Sequence, residues 1–300
     1  MLINSSPPCK IKLVCVIFNY DKEEFPLKIC FSTHFYVSEP LIESHIREIA
    51  SLGYRDIELW CMKPHFDISD KDNVKKVFGE ISAGGLRINS YHVPIFTYHF
   101  NADANIPVRE WLYLTDTREE KRIEAVRMVK ETMRTMSPTG ARIAVLHADL
   151  REGENIESEL DGLRKSLTEL IPEAEANKTT IAVENTQRKV LVKDLVNLVN
   201  EFSSPFLRLC IDFGHANLYE KPVESIKIAG DYLVNTHVSD NYGDKDIHMH
   251  PGTGSIIWKE IADTLHETGY RGALTLEVKR SNGLDGIAYE DIRKMFSLSE

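Results

Sequence analysis

From about residue 28 onward the chain alternates between two spacings of apolar residues. Short runs with a period of two, which puts successive side chains on opposite faces, predict strands. They are KICFS (28–32), RDIELW (55–60), LRINSYH (86–92), ARIAVLH (141–147), TTIAVE (179–184), LRLCID (207–212), YLVNTH (232–237) and ALTLE (273–277). Between them, amphipathic stretches at 40–52, 70–83, 118–136, 156–177, 191–201, 222–230, 257–268 and 286–297 predict helices. In 118–136, for example, Ile123, Val126, Val129, Met133 and Met136 recur at helical spacing among Lys, Arg and Glu. Eight strands alternating with eight helices predict an α/β protein, a closed (β/α)8 TIM barrel forming a single domain. A doubly wound open sheet is the competitor, but it usually has fewer strands and a glycine-rich phosphate turn, and no GxGxxG follows the first strand.

Strand parity says which side chains point into such a barrel. Ala182 shares a face with Glu184, Asn235 with His237, and Ala273 and Thr275 with Glu277, while the opposite faces are bulky and apolar. The small or polar faces belong inside, and the apolar ones belong under the helices. Two regions break the rhythm. Residues 1–27 form an N-terminal extension, expected either to add a strand or to be poorly ordered, before a barrel spanning 28–300. Residues 93–117 make a long connection rich in aromatics (Phe96, Tyr98, Phe100, Trp111, Tyr113), of the kind that serves as a lid or substrate wall.

Composition narrows the function classes. Of 300 residues, 42% are hydrophobic and 27% charged, with a formal net charge of −10. That acidity disfavours a nucleic-acid partner, which needs surplus Lys and Arg. Five cysteines without a CxxC pair suggest reduced thiols in an intracellular protein. No stretch approaches the roughly 18 apolar residues that span a membrane. The apolar IKLVCVIF (11–18) runs into DKEE without a cleavage pattern, so a cytoplasmic location is expected.

The candidate chemistry lies at the strand ends. Glu184, Asp212, His237 and Glu277 each close a strand, at intervals of 28, 25 and 40 residues, which fits successive strand–helix units delivering one group apiece to the same end of the sheet. Two glutamates, an aspartate and a histidine suit one divalent ion (Mn, Mg, Co or Zn), and the absence of cysteine disfavours a structural zinc site. A lone strand-end histidine is ordinarily structural; the coincidence of four such ends carries the reading. His92 and His147 also end strands on the inward parity, His215 lies three residues after Asp212, and Asp246 and His248 form a DxH before PGTG. Trp60, at the mouth, suits stacking on a ligand as well as ordinary packing. Glu58 points inward too, with Asp56 lower on the same strand and expected to pair with a basic neighbour. Lys279 shares the parity of Glu277 and reads as exposed by default. The basic positions of 118–136 (Arg118, Lys121, Arg122, Arg127, Lys130, Arg134) read as solvated surface.

The segments VEN, CIDFGHAN, THVSDNYGDKDIHMHPGTGSIIW (236–258) and LEV, in that order, resemble the xylose isomerase-like TIM barrel superfamily over roughly residues 28–300. That superfamily includes sugar isomerases, ketose epimerases, inosose dehydratases and the endonuclease IV group. The resemblance implies that Glu184, Asp212, His237 and Glu277 hold one divalent metal. It also implies that Glu184 and Glu277 act as acid and base through an enediolate, and that His215 meets a substrate oxygen. The implied substrate is a small sugar or sugar-like keto/hydroxy compound; a dehydratase of a cyclic polyol or keto acid would use the same site. In this branch His92, His147, Asp246, His248 and Trp60 would contact substrate. Members often form dimers or tetramers, although no stripe in the sequence demonstrates an interface. The alternative is an endonuclease IV-like AP endonuclease with three zinc ions: His92, His147 and Glu184 on one; Glu184, Asp212, His237 and Glu277 on the second; His215, Asp246 and His248 on the third. Against it stand the acidic charge, a KICFSTHFYVSEP start without the glycines typical of that group, and the proline before GTG. A metal-binding barrel without catalysis is a third possibility, disfavoured by the two intact glutamates.

Overall fold

The computed structural model describes residues 27–101, 106–151, 155–186 and 190–296. The N-terminal extension up to residue 26, with Cys9 and Cys15, lies outside these described residues, as does the side chain of Phe100. Eight parallel strands close into a barrel: β1 (Lys28–Ser32), β2 (Asp56–Trp60), β3 (Arg87–His92), β6 (Ile143–His147), β7 (Thr180–Glu184), β8 (Leu207–Asp212), β9 (Leu233–Val238) and β10 (Ala273–Leu276). They follow one another round the ring as β1-β10-β9-β8-β7-β6-β3-β2. The outer layer consists of α1 (Glu43–Ser51), α2 (Lys71–Ala83), α3 (Glu119–Met136), α4 (Ile156–Ala176), α5 (Val192–Phe202), α6 (Phe213–Tyr219), α7 (Pro222–Ala229), α8 (Trp258–Glu267) and α9 (Tyr289–Phe296). None of these helices is long and apolar enough to cross a membrane.

The main core lies between strands and helices, where outward residues such as Ile57, Leu59, Ile181, Val183, Leu209 and Ile211 are buried against the helices. Each such side chain stabilises the fold by about 1.5–3 kcal/mol relative to exposure. The barrel interior is different. Its apolar part is a small group of Val145, Ala182 and Cys210, with Ile143 and Val234 against it. Other inward positions are polar and buried, among them Ser32, Glu58, Ser90, Asn235 and Thr275. Parallel pairing then sets the ligand-type residues side by side at one end, His147 opposite Glu184 and Asp212 opposite His237. In β9 a register shift between Leu209 and Cys210 of the neighbouring strand accommodates one extra residue, Val234, just before Asn235 and His237.

Two local features depart from the sequence expectation, and a third, the pairing of Asp56 with basic neighbours, follows it. Within the long connection, β4 (Phe96–Asn101) and β5 (Ile106–Trp111) form an antiparallel hairpin with Phe96 opposite Trp111. On α3 the apolar stripe is shifted: Ile123 is 49% exposed, whereas Arg122 is 3% exposed. Arg122 pairs with Glu119 (2.7 Å) and Glu169 (2.8 Å) and reaches Ser166 Oγ at 3.3 Å, which satisfies the buried guanidinium. Asp56 sits at the lower end of β2 against Arg87 (2.8 Å) and Lys28 (3.9 Å).

Candidate metal centre and its cavity

Five consecutive strands end in groups that can bind a cation: His147 on β6, Glu184 on β7, Asp212 on β8, His237 on β9, and Glu277 one residue past β10. His92 ends β3. The loop after β9 adds Asp246 and His248, and α6 adds His215. Asp212 has two roles, because its Oδ1 accepts the His215 backbone N–H (2.8 Å) as the N-cap of α6 and leaves Oδ2 facing the centre. Ligand atoms lie within 4.8 Å of one another in three groups: Glu184, Asp212, His237 and Glu277; His92, His147 and Glu184; and His215, Asp246 and His248. Glu184 belongs to the first two. Cys210 also lies beside Glu184 and His237, but burial pushes its thiol up to about 12, which makes it a poor ligand.

The imidazoles are oriented from outside. Nδ1 of His92 bonds Val93 O (2.9 Å), that of His147 bonds Asp149 Oδ2 (2.9 Å), that of His215 bonds Asn185 O (2.9 Å) and that of His248 bonds Glu277 O (2.9 Å). In each ring this assigns the proton to Nδ1 and turns Nε2 toward the site. His237 is inverted: Nδ1 faces Glu277 Oε2 (3.2 Å) and Glu184 Oε2 (3.3 Å), while Nε2 lies 3.0 Å from Glu58 Oε1. Glu58 Oε1 and His237 Nε2 are both buried and have no hydrogen-bond partner elsewhere, so each faces the other as its nearest polar contact. Glu58 Oε2 accepts from Ser90 Oγ (2.8 Å) and Asn235 Nδ2 (3.1 Å).

Electrostatics hold this set together. Burial alone would raise the Glu184 carboxyl, but His237, His147 and His215 keep it well below the usual range. Glu277 is likewise lowered against its burial by His237, His34 and His248. Asp212, buried and beside the other two carboxylates, is pushed up to about 6 despite His215. Against the effect of burial, Asp246 raises His248 to about 9, and Asp212 and Asp246 raise His215. Buried atoms left without a hydrogen-bond partner include both oxygens of Glu184, Asp212 Oδ2, Glu277 Oε1, His237 Nδ1, His92 Nε2 and Asp246 Oδ1. So many orphaned donors and acceptors, all converging, would be costly in a site built only of protein. They are the atoms a divalent cation would satisfy, so the donor set fits a metal.

Above this floor opens a cavity of about 500 Å³ lined by His147, His215, Asp246, His248 and Glu277 on one side. His34, Trp60, the hairpin and Lys279 line the other. Trp60 stacks on His92 at 4.1 Å and meets His34 at 4.6 Å. A hollow of about 600 Å³ between α1 and α2 contains none of the strand-end residues. All ten residues singled out from the sequence (Trp60, His92, His147, Glu184, Asp212, His215, His237, Asp246, His248 and Glu277) therefore lie in or beside one region. Sequence reading underrated Glu58 and missed His34, Asp149, Asn185 and Asp240. Asn185 ties β7 to β8 by bonding both the Asp212 N–H (2.8 Å) and its carbonyl (3.1 Å). Asp240 organises the loop that carries Asp246 and His248, accepting from Gly252 N and Trp258 Nε1, both at 2.9 Å. Inward parity with Trp60 was the available signal for Glu58; the others carry none without the fold.

A closed parallel barrel with ligand-type side chains at the C-terminal ends of its strands defines the class. Residues 46–298 match the sequence pattern of the xylose isomerase-like TIM barrel family, and the chain belongs to that family. An uncharacterised protein of Sinorhizobium fredii is 30% identical over 166 residues, 52% of this chain, which spans about half (53%) of that relative's length. Fructoselysine 3-epimerase of Escherichia coli is 25% identical over 249 residues, covering 79% of this chain and 85% of the relative. Among solved structures, a D-tagatose 3-epimerase-like protein superposes with a TM-score of 0.74 at 22% identity, over 90% of this chain and 97% of its own, a likeness of fold.

Proposed function

We propose that this protein is a divalent-metal-dependent isomerase or epimerase acting on a sugar or a sugar-like keto/hydroxy compound, with its barrel running over residues 28–300. The observation that carries the reading is the pair of buried carboxylates, Glu184 and Glu277, which approach His237 Nδ1 from two different strand ends at 3.3 and 3.2 Å. The likeness to a fructoselysine 3-epimerase supports the same chemistry.

Glu184, Asp212, His237 and Glu277 would hold the ion. When bound it supplies positive charge beside a substrate carbonyl, which lowers the cost of ionising the neighbouring C–H. Glu184 and Glu277 then divide the proton transfer: one carboxylate takes the proton from carbon, and the other returns one from the opposite face. Both carboxyls are held low by their histidine neighbours, so both start as bases. The one that delivers a proton must first gain it from solvent or from a substrate hydroxyl. As the imidazolium that Asp212 and Asp246 favour, His215 could donate from Nε2 to a substrate oxygen, and His92, His147, Asp246 and His248 wall the reacting end. Trp60 offers an apolar face to the carbon side of a sugar.

One observation favours a second reading. All nine side chains needed for three metal ions are sorted into three groups, two of which share Glu184, as a phosphodiester-cleaving enzyme would require. Metal stoichiometry in protein purified without chelator, combined with solvent deuterium uptake by a panel of ketoses, separates the two. About one ion per chain with exchange at the carbon beside the carbonyl is expected. Three ions, cleavage of an abasic duplex and no exchange in any ketose would replace the first reading with the second.

A further inference from the structure

The mouth of the cavity divides into two arcs. The strands from β6 to β10 carry all the strand-end ligand-type groups except His92 on β3. The arc from β10 through β1 and β2 to the hairpin after β3 carries aromatic rings and two cations, Arg109 and Lys279. Arg109 lies over Phe96, 4.4 Å from the ring centroid, with Tyr98 at 6.0 Å and its Nη2 3.5 Å from Tyr98 Oη. Lys279 follows the segment bearing Glu277, and its backbone N–H donates to His248 O at 3.0 Å.

Neither cation has a carboxylate partner among the described residues. Neighbouring basic groups do: Arg280 pairs with Glu39, Lys121 with Glu110, Lys63 with Asp67 (2.8 Å) and Arg118 with Asp116 (2.7 Å). In a chain of net charge −10, these two cations line the same cavity, which gives a bound anion two positive groups at once. The stacked guanidinium is also pre-oriented, so little rotamer freedom is lost when it meets an oxyanion.

We propose that this arc binds an anionic group, a phosphate or a carboxylate, at the end of the substrate remote from its reacting carbon, with Arg109 and Lys279 as the specificity-determining residues. The inference rests on the isomerase reading of the ligand arc. The reacting end lies over Glu184 and Glu277, the carbon chain crosses His34 and Trp60, and the anion reaches the rim. Neutral sugars leave both cations without a counter-charge.

The test is calorimetric binding of unreactive polyols to the full-length, metal-loaded protein: glucitol, glucitol 6-phosphate and gluconate, at low and high salt. The anionic compounds are expected to bind more tightly than glucitol, and the tighter of the two identifies phosphate or carboxylate. Arg109→Ala and Lys279→Gln should each reduce that advantage about three- to tenfold, as should added salt, because both contacts are exposed to solvent. Equal affinity for all three polyols would overturn the proposal. So would an anionic advantage that survives in both variants, since the anion would then sit on the metal itself, or tight binding of an abasic duplex with none of the polyol phosphate. The outcome is separable from the function assigned above. Selective polyol binding without hydrogen exchange in any ketose removes the isomerase reading and leaves the anion site. Exchange in neutral ketoses without an anionic advantage does the reverse.

Discussion

Replacing Glu58 by glutamine is the sharpest test of how the centre is built. Glu58 lies three strands round the barrel from His237, wholly buried, with Oε1 against His237 Nε2 at 3.0 Å. Its Oε2 accepts from Ser90 (2.8 Å) and from Asn235 Nδ2 (3.1 Å), and Asn235 is held that way round by Thr275 on its Oδ1 (3.2 Å). The carboxylate therefore favours a proton on Nε2 and a lone pair on Nδ1, the nitrogen that faces Glu184 and Glu277. Glutamine keeps the volume but has one acceptor and one donor. If its amide N–H₂ faces His237, the ring is driven to the tautomer protonated on Nδ1, and the ligand lone pair is lost. If its oxygen faces His237, the amide N–H₂ meets the N–H₂ of Asn235, and one buried donor is left unpaired at about 1–3 kcal/mol. The first outcome predicts a loss of about 10- to 100-fold in metal affinity, equivalent to about 1.4–2.7 kcal/mol; the second keeps the Nδ1 lone pair and shows instead as a lowered melting temperature. Competition of the folded variant with a chromophoric chelator for Mn, Co or Zn measures the affinity directly. A dissociation constant within about threefold of the parent, in a variant with an unchanged melting curve, would refute the orienting role.

The remaining predictions concern catalysis, the metal and the frame. Glu184→Gln and Glu277→Gln should each lower turnover about 10²- to 10⁴-fold with metal saturating, and full turnover in either variant would dismiss the two-carboxylate mechanism. Stripping the metal should lower the melting temperature, and metal at 100 times its dissociation constant should return about 2.7 kcal/mol; a denaturation curve indifferent to metal would contradict binding at this site. Gly254→Ala would place a Cβ 2.3 Å from Asp240 Oδ1 and 2.4 Å from Asn241 O. It should destabilise the loop carrying Asp246 and His248 by about 1–3 kcal/mol, read by calorimetry. Arg122→Met, far from the cavity, should cost about 1–2 kcal/mol of stability and leave turnover alone, because its partners Glu119 and Glu169 are half-exposed and regain water.

Much of the centre was legible before the fold. The inward direction of Glu184, His237 and Glu277 follows from alternation along each strand, a property of the local backbone that needs no partner. Arg122 shows the limit of that logic. On a helix face rich in Lys, Arg and Glu it read as surface, yet the packing of α3 on α4 buries it beside Ser166 and Glu169. Ile123, read as core, turns outward for the same reason. The aromatic connection after β3 was recognisable as a wall, but its hairpin pairing was not, since the registration of Phe96 with Trp111 depends on the antiparallel return of the chain.

The sequence by itself determined the alternation of strands and helices, the barrel, and the delivery of one acidic or imidazole group to each of several strand ends, because each depends on periodicities of two and 3.6 that every short segment carries alone. Only the tertiary structure decided which nitrogen of each histidine faces the site. It also brought Glu58 of β2 onto His237 of β9 and divided the mouth into a ligand arc and a cationic arc. The histidine orientations depend on where loops and neighbouring strands place their acceptors, and the meeting of Glu58 with His237 depends on closure between segments more than a hundred residues apart; such contacts leave no local pattern to read.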